Sequence, residues 1–148
     1  MTILHPTDFS SCAGQAQARA AALARAFGAE VLLVYVLVEA MLFGEGFVGM
    51  AEVERIYDAQ KRWAEKALAD RVAELEAQGI KARSLLVVGV PADEIVRAAE
   101  RERADLIVLG THGRGAVGRF FLGSIADRVV RTAPCPVVTV REGADATR

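Results

Sequence analysis

Short, unbroken apolar runs alternate along the chain with longer stretches in which apolar residues return every three or four positions. The first kind suits strands covered on both faces and the second suits amphipathic helices, so the alternation predicts βαβ units around a parallel sheet. Ile3 to His5, ended by Pro6, is the first predicted strand. Ser10 or Ser11 caps the helix after it, in which Ala16, Ala20, Leu23, Ala24 and Phe27 share a face and Gly28 provides the stop. Val31 to Val38 reads as a central strand. The longest helix follows, with Val53, Ile56, Tyr57, Trp63, Ala64, Ala67, Leu68, Val72 and Leu75 at helical spacing as far as Gly79, and Trp63 and its stripe read as core. Ser84 to Val88 and Leu106 to Leu109 are the next strands, separated by a helix that opens at Pro91 and turns Ile95, Val96 and Ala99 inward. Ser124 opens a short fourth helix, and Pro136 to Val140 is the fifth strand.

A chain of 148 residues with no internal repeat fits one domain, with only a short tail, residues 142–148, read as disordered. Lys and Arg number 18 against 19 Asp and Glu, which argues against a nucleic-acid or anionic-membrane partner, because any bound anion must be held locally. No apolar run reaches the ~18 residues needed to span a bilayer, and the N-terminus lacks the pattern of a signal peptide, so a cytoplasmic protein is expected. Cys12 and Cys135 match no metal-ligand or redox spacing.

Candidate chemistry gathers after the first and fourth strands. Open parallel sheets bind ligands at the carboxyl ends of their strands, where the strand order reverses. There the chain carries Pro6-Thr7-Asp8, and Gly110-Thr111-His112-Gly113 followed by nine residues and Gly123-Ser124. Glycines let backbone amides converge on an anion, and the Gly123-Ser124 helix start adds about half a positive charge, so phosphate is the natural occupant.

Gly110-x-x-Gly113, nine residues, Gly123-Ser124 resembles the nucleotide-binding pattern of ATP-binding universal stress proteins. Pro6-Thr7-Asp8-Phe9-Ser10, Val88-Gly89-Val90-Pro91 and Pro134-Cys135-Pro136-Val137 resemble further signatures of that family, so the resemblance spans nearly the whole chain. It implies a three-layer flavodoxin-like or Rossmann-like α/β domain, with a five-stranded parallel sheet of order 3-2-1-4-5 over residues 1–141. It also implies a homodimer through the last strand, Pro136 to Val140, and a stress-response regulatory role. The implied ligand is ATP or another adenine nucleotide, carrying Mg²⁺ or Mn²⁺ on its phosphates rather than on protein side chains. Carried onto this sequence, the resemblance sets Gly113, Gly123 and Ser124 on the phosphates, Asp8 and Gly110 near the ribose, and the Val36 backbone against adenine. Leu109 and Ile125 line the same cleft, with Pro6 and Thr7 beside Asp8.

Several residues keep two readings. Asp8 either accepts from the ribose or braces its own turn. His112 touches phosphate, meets a phosphate-borne cation or shapes the loop, and Arg114 and Arg119 either steer phosphate or are ordinary exposed arginines. Gly113-Arg114-Gly115-Ala116-Val117-Gly118 spells GxGxxG, but it lies too far from its strand to be a dinucleotide fingerprint. Residues 41–50 are a lid, a partner surface or a tucked loop. An enzyme finds little support, since no Walker A, HIGH or SGGxDS pattern is present. A receiver domain would need an Asp after strand three and a Lys after strand five, where Gly89 and Arg141 stand, and a flavodoxin would need its phosphate loop after strand one. The alternatives to a nucleotide-dependent dimeric switch are a nucleotide-independent dimeric interaction module and a slow ATPase.

Overall fold

The computed structural model describes residues 1–38, 49–112 and 122–143. The expectations for residues 41–48, for Gly113, Arg114 and Arg119, and for the last five residues of the tail lie outside these.

Nine elements alternate along the chain: β1 (Thr2–Pro6), α1 (Ser11–Phe27), β2 (Glu30–Leu37), α2 (Met50–Ala77), β3 (Ala82–Val88), α3 (Pro91–Arg101), β4 (Leu106–Gly110), α4 (Ser124–Thr132) and β5 (Val137–Val140). The strands form one parallel sheet of order β3-β2-β1-β4-β5, in which Ile3 is level with both Val31 and Leu106. The apolar runs are unbroken because both faces are covered. Ile3, Val31, Leu33 and Val108 pack with the α1 alanines and with Leu68 and Leu75 of α2, while Leu4, Leu32, Val34, Ile107 and Leu109 pack with α3 and α4. Right-handed crossovers require this arrangement, since the chain winds one way through β1, β2 and β3 and the other way through β4 and β5. The reversal falls between β1 and β4.

Local signals act as expected at most ends. The Ser10 hydroxyl accepts from the Ala13 amide, and Gly28 ends α1 at φ 63°, its N–H donating to Ala24. Pro91 occupies the first turn of α3, where it sacrifices no bond. No helix among the described residues is long and apolar enough to cross a membrane.

β2 is interior as expected, paired with β1 on one side and β3 on the other, and three other expectations are corrected. Several boundaries move by a residue or two: β3 begins at Ala82, β2 runs from Glu30 to Leu37, and β5 begins at Val137. Phe27, the last residue of α1, is 61% exposed, while Ala24 one turn earlier is still buried. Trp63 is 49% exposed rather than core, standing to the side of the buried stripe of Ala64, Leu68 and Leu75. Its ring packs edge-on against Phe9 and Tyr35.

The end of the sheet remote from the reversal is tied by charge. Glu30 of β2 pairs with Lys81 at 3.1 Å and with Arg83 of β3, and Arg83 reaches Glu102 at 2.9 Å. Burial raises the pKa of Glu30, but the two cations outweigh it and hold the carboxyl below its ordinary value.

Candidate functional site: a cleft at the strand reversal

Where β1 and β4 diverge, a cleft of about 530 Å³ opens at the carboxyl edge of the sheet. One wall comes from the turn after β1, through Pro6, Thr7 and Asp8, and the opposite wall from Gly110, Thr111 and His112 after β4. Val36 and Val38 lie toward one end with Pro91 and Ile95 of α3, and Gly123, Ser124 and Ile125 of α4 lie toward the other. Pro6, Thr7, Asp8, Val36, Leu109, Gly110, His112, Gly123, Ser124 and Ile125, all expected from sequence, are thus brought to one cleft; Gly113 and Arg114 are not among the described residues.

The turn after β1 is self-braced. Thr7 Oγ1 accepts from the Phe9 amide at 3.0 Å, and Asp8 Oδ1 accepts from the Ser10 amide at 3.0 Å. Asp8 therefore does brace its own turn, and it still lines the cleft. Phe9 has φ 59°, a left-handed conformation costing roughly 1–2 kcal/mol for a residue with a Cβ.

The base of the cleft follows from strand periodicity. The Thr7 amide donates to the Val34 carbonyl at 2.9 Å, so Val34 faces β1, whereas the Leu37 carbonyl accepts from Gly89 after β3. Alternation turns Val36 the same way as Val34, but the β1 ladder has ended at the Pro6–Val34 pair. The N–H and C=O of Val36 therefore face the cleft as a donor and an acceptor side by side.

The two glycines have a tighter reason than access to a ligand. The Gly123 amide donates to the Thr111 carbonyl at 2.8 Å, and a Cβ on Gly123 would lie 2.9 Å from that oxygen. A Cβ on Gly110 would lie 2.8 Å from Cys12 Sγ. Gly123 also caps α4 without a side chain, leaving the first amides of that helix at the cleft with no side-chain cap among the described residues. A helix start of this kind accepts an anion.

Two histidines flank the site. Thr111 Oγ1 and His112 Nδ1 share a hydrogen bond of 2.8 Å, so the shaping role for His112 has a physical basis. His5, fully buried on β1, donates from Nδ1 to the Val108 carbonyl at 2.8 Å, and its buried Nε2 has no hydrogen-bond partner among the described residues. Burial drives its pKa from 6.5 to about 4, against the opposing pull of the Val108 carbonyl and the Asp8 charge. Among the described residues, no cluster of three His, Cys, Asp or Glu side chains could hold a metal ion.

Thr111, Tyr35, Val38, Pro91 and Ile95 also line the cleft and were missed in the sequence. The strand parity that selects Val36 also selects Val38, and Pro91 stands two residues past Gly89 at the end of β3. Those signals were present but unused.

Fold and cleft together define a doubly wound α/β protein with an anion-ready helix start at its strand reversal. The model of the universal stress protein family matches residues 1–141, and the chain belongs to that family. A universal stress protein of Thermus aquaticus is 43% identical over 141 residues, covering 95% of this chain and 98% of the relative. The solved structure of MJ0577 from Methanocaldococcus jannaschii superposes with a TM-score of 0.85 at 30% identity, covering 97% of each chain. A universal stress protein from Archaeoglobus fulgidus, solved in complex with dAMP, superposes with a TM-score of 0.66 at 27% identity over 95% of this chain and 97% of its own.

Proposed function

We propose that this protein binds ATP or a closely related adenine nucleotide in the cleft and acts as a dimeric regulator in the cytoplasm. The observation that carries the reading is the pairing of ends. Val36 offers a donor and an acceptor matched to the edge of adenine, and the uncapped start of α4 offers amides to phosphate. Asp8 lies between them, placed to accept from ribose hydroxyls, and Pro91 and Ile95 give the base an apolar wall. Gly113 and Arg114 are assigned to the phosphates by their place in the sequence motif, and His112 is held by its hydrogen bond to Thr111. Mg²⁺ or Mn²⁺ arrives on the phosphates. The dAMP complex of the Archaeoglobus fulgidus relative supports an adenine nucleotide as the ligand class. Residues 1–141 act as one domain.

Dimerisation is assigned to β5, an edge strand of Val137–Val140 whose side chains are mostly half-buried. The same exposed edge favours the second reading, a dimeric interaction module that needs no nucleotide.

Calorimetric titration of ATP and of AMP into nucleotide-stripped protein with Mg²⁺ separates the two. Binding in the micromolar range or tighter, abolished in Gly113→Val, is the expected result. Absence of binding, with no nucleotide released on denaturation, leaves the interaction module.

A further inference from the structure

Phe9 and Trp63 stand beside the cleft without lining it. Phe9 holds a left-handed φ of 59°, a conformation that glycine would adopt freely. A phenylalanine there needs compensation from its surroundings. It comes from the rings: Phe9 stacks on Tyr35 with centroids 5.3 Å apart and planes 28° apart, and it meets Trp63 of α2 edge-on at 5.4 Å. Tyr35 and Trp63 close the triangle at 6.2 Å. Thr7, Asp8 and Phe9 are consecutive. The first two line the cleft, while the third is rooted in aromatic side chains on the α1 and α2 side of the sheet. The turn between them is pulled from both sides, and its internal bonds, Thr7 Oγ1 to the Phe9 amide and Asp8 Oδ1 to the Ser10 amide, close across that strained residue.

We propose that Phe9, clamped by Trp63 and Tyr35, is a positioning residue that presets Asp8 for the ribose of the bound nucleotide. This inference rests on the adenine-nucleotide reading. The ring triangle holds the left-handed backbone, and the left-handed backbone fixes where Asp8 stands before any ligand arrives, so the entropy of ordering the turn is spent on folding rather than on binding. Trp63 is not among the residues lining the cleft, yet it is the only tryptophan in the chain and is half-exposed beside the turn, which makes its emission a reporter of the clamp.

The test measures ATP affinity by calorimetry and Trp63 emission in the full chain, alongside thermal unfolding. Phe9→Gly relieves the backbone and removes the anchor; it is expected to fold cooperatively and to bind ATP about tenfold more weakly. Phe9→Tyr and Trp63→Phe keep the rings and stay within about twofold of the wild type, whereas Trp63→Ala, remote from the ligand, loses about fivefold. Wild-type Trp63 emission stays unshifted by ATP or AMP, because the clamp is formed before the ligand arrives, and a shift on binding overturns the inference. Unchanged affinity in Phe9→Gly overturns the inference, as does failure of Phe9→Tyr to retain binding. Should Phe9→Gly fail to fold, unchanged affinity in Trp63→Ala overturns it instead. A wild-type protein that binds neither nucleotide removes the functional reading and this inference with it, whereas normal wild-type binding with indifferent variants removes the inference alone.

Discussion

The amide of Gly123 donates to the carbonyl of Thr111 at 2.8 Å, and the Thr111 amide in turn donates to the Val140 carbonyl at 2.9 Å. The start of α4, the end of β4 and the end of β5 are therefore locked in one chain of backbone bonds. Gly123→Ala would set a Cβ 2.9 Å from the Thr111 oxygen, and that oxygen cannot retreat without disturbing β5. The substitution should destabilise the protein by about 1–3 kcal/mol and weaken ATP binding more than about tenfold. Thermal unfolding and calorimetry on the same sample check it; wild-type affinity in the variant would mean that the helix start does not hold phosphate.

Val36 presents an N–H donor and a C=O acceptor to the cleft. Adenine offers the complementary 6-amino donor and N1 acceptor, whereas inosine reverses both. ITP should bind at least about tenfold more weakly than ATP, because the reversed edge leaves buried polar groups facing their like. Competition between the two nucleotides reads this directly, and equal affinities would remove Val36 from base recognition.

Buried His5 makes stability depend on acidity. Its folded pKa of about 4 lies below the usual 6.5, so the unfolded chain takes up the proton first as pH falls. Stability is thus complete above about pH 6.5 and declines down to about pH 4; at about 1.4 kcal/mol per unit this removes about 3 kcal/mol. Urea unfolding between those limits should show the slope, and His5→Leu should flatten it. A slope identical in the variant would assign the titration to another group.

The Pro136 and Val140 carbonyls both accept from the β4 side, so by alternation Val137 and Thr139 turn their amides outward. Thr139→Pro removes an outward donor while sparing the bonds to β4, as edge positions permit. The protein should remain folded and elute as a monomer in light-scattering chromatography. A dimer that persists would place the subunit contact elsewhere.

The strand and helix order was legible because apolar runs alternate with helical stripes from end to end, and at α1 the Ser10 cap and the Gly28 stop mark both ends. The candidate site was legible where motif and topology coincide, at Asp8, Gly110 and Gly123. Trp63 and Phe27 misled because helical spacing tells which residues share a face, not which of them the core covers. Asp8 beside Thr7 and Ser10 signalled a braced turn, but not that Phe9 within it would be left-handed, its ring set against rings from β2 and α2. The close fit of Gly110 against Cys12 was equally hidden, as it depends on α1 crossing beneath β4.

The strand order also governs what the chain can do while it is being made. As residues leave the ribosome, β1, β2 and β3 can pair in sequence, but the other flank of β1 stays open until β4 follows, as the 103-residue separation between His5 and Val108 records. For most of synthesis the future centre of the sheet is an unprotected apolar edge. Half of the cleft is missing throughout that interval, so a nascent chain holding Asp8 and Val36 has no helix start for phosphate. Ligand capture therefore belongs to the finished chain, and it rewards the step that closes that edge.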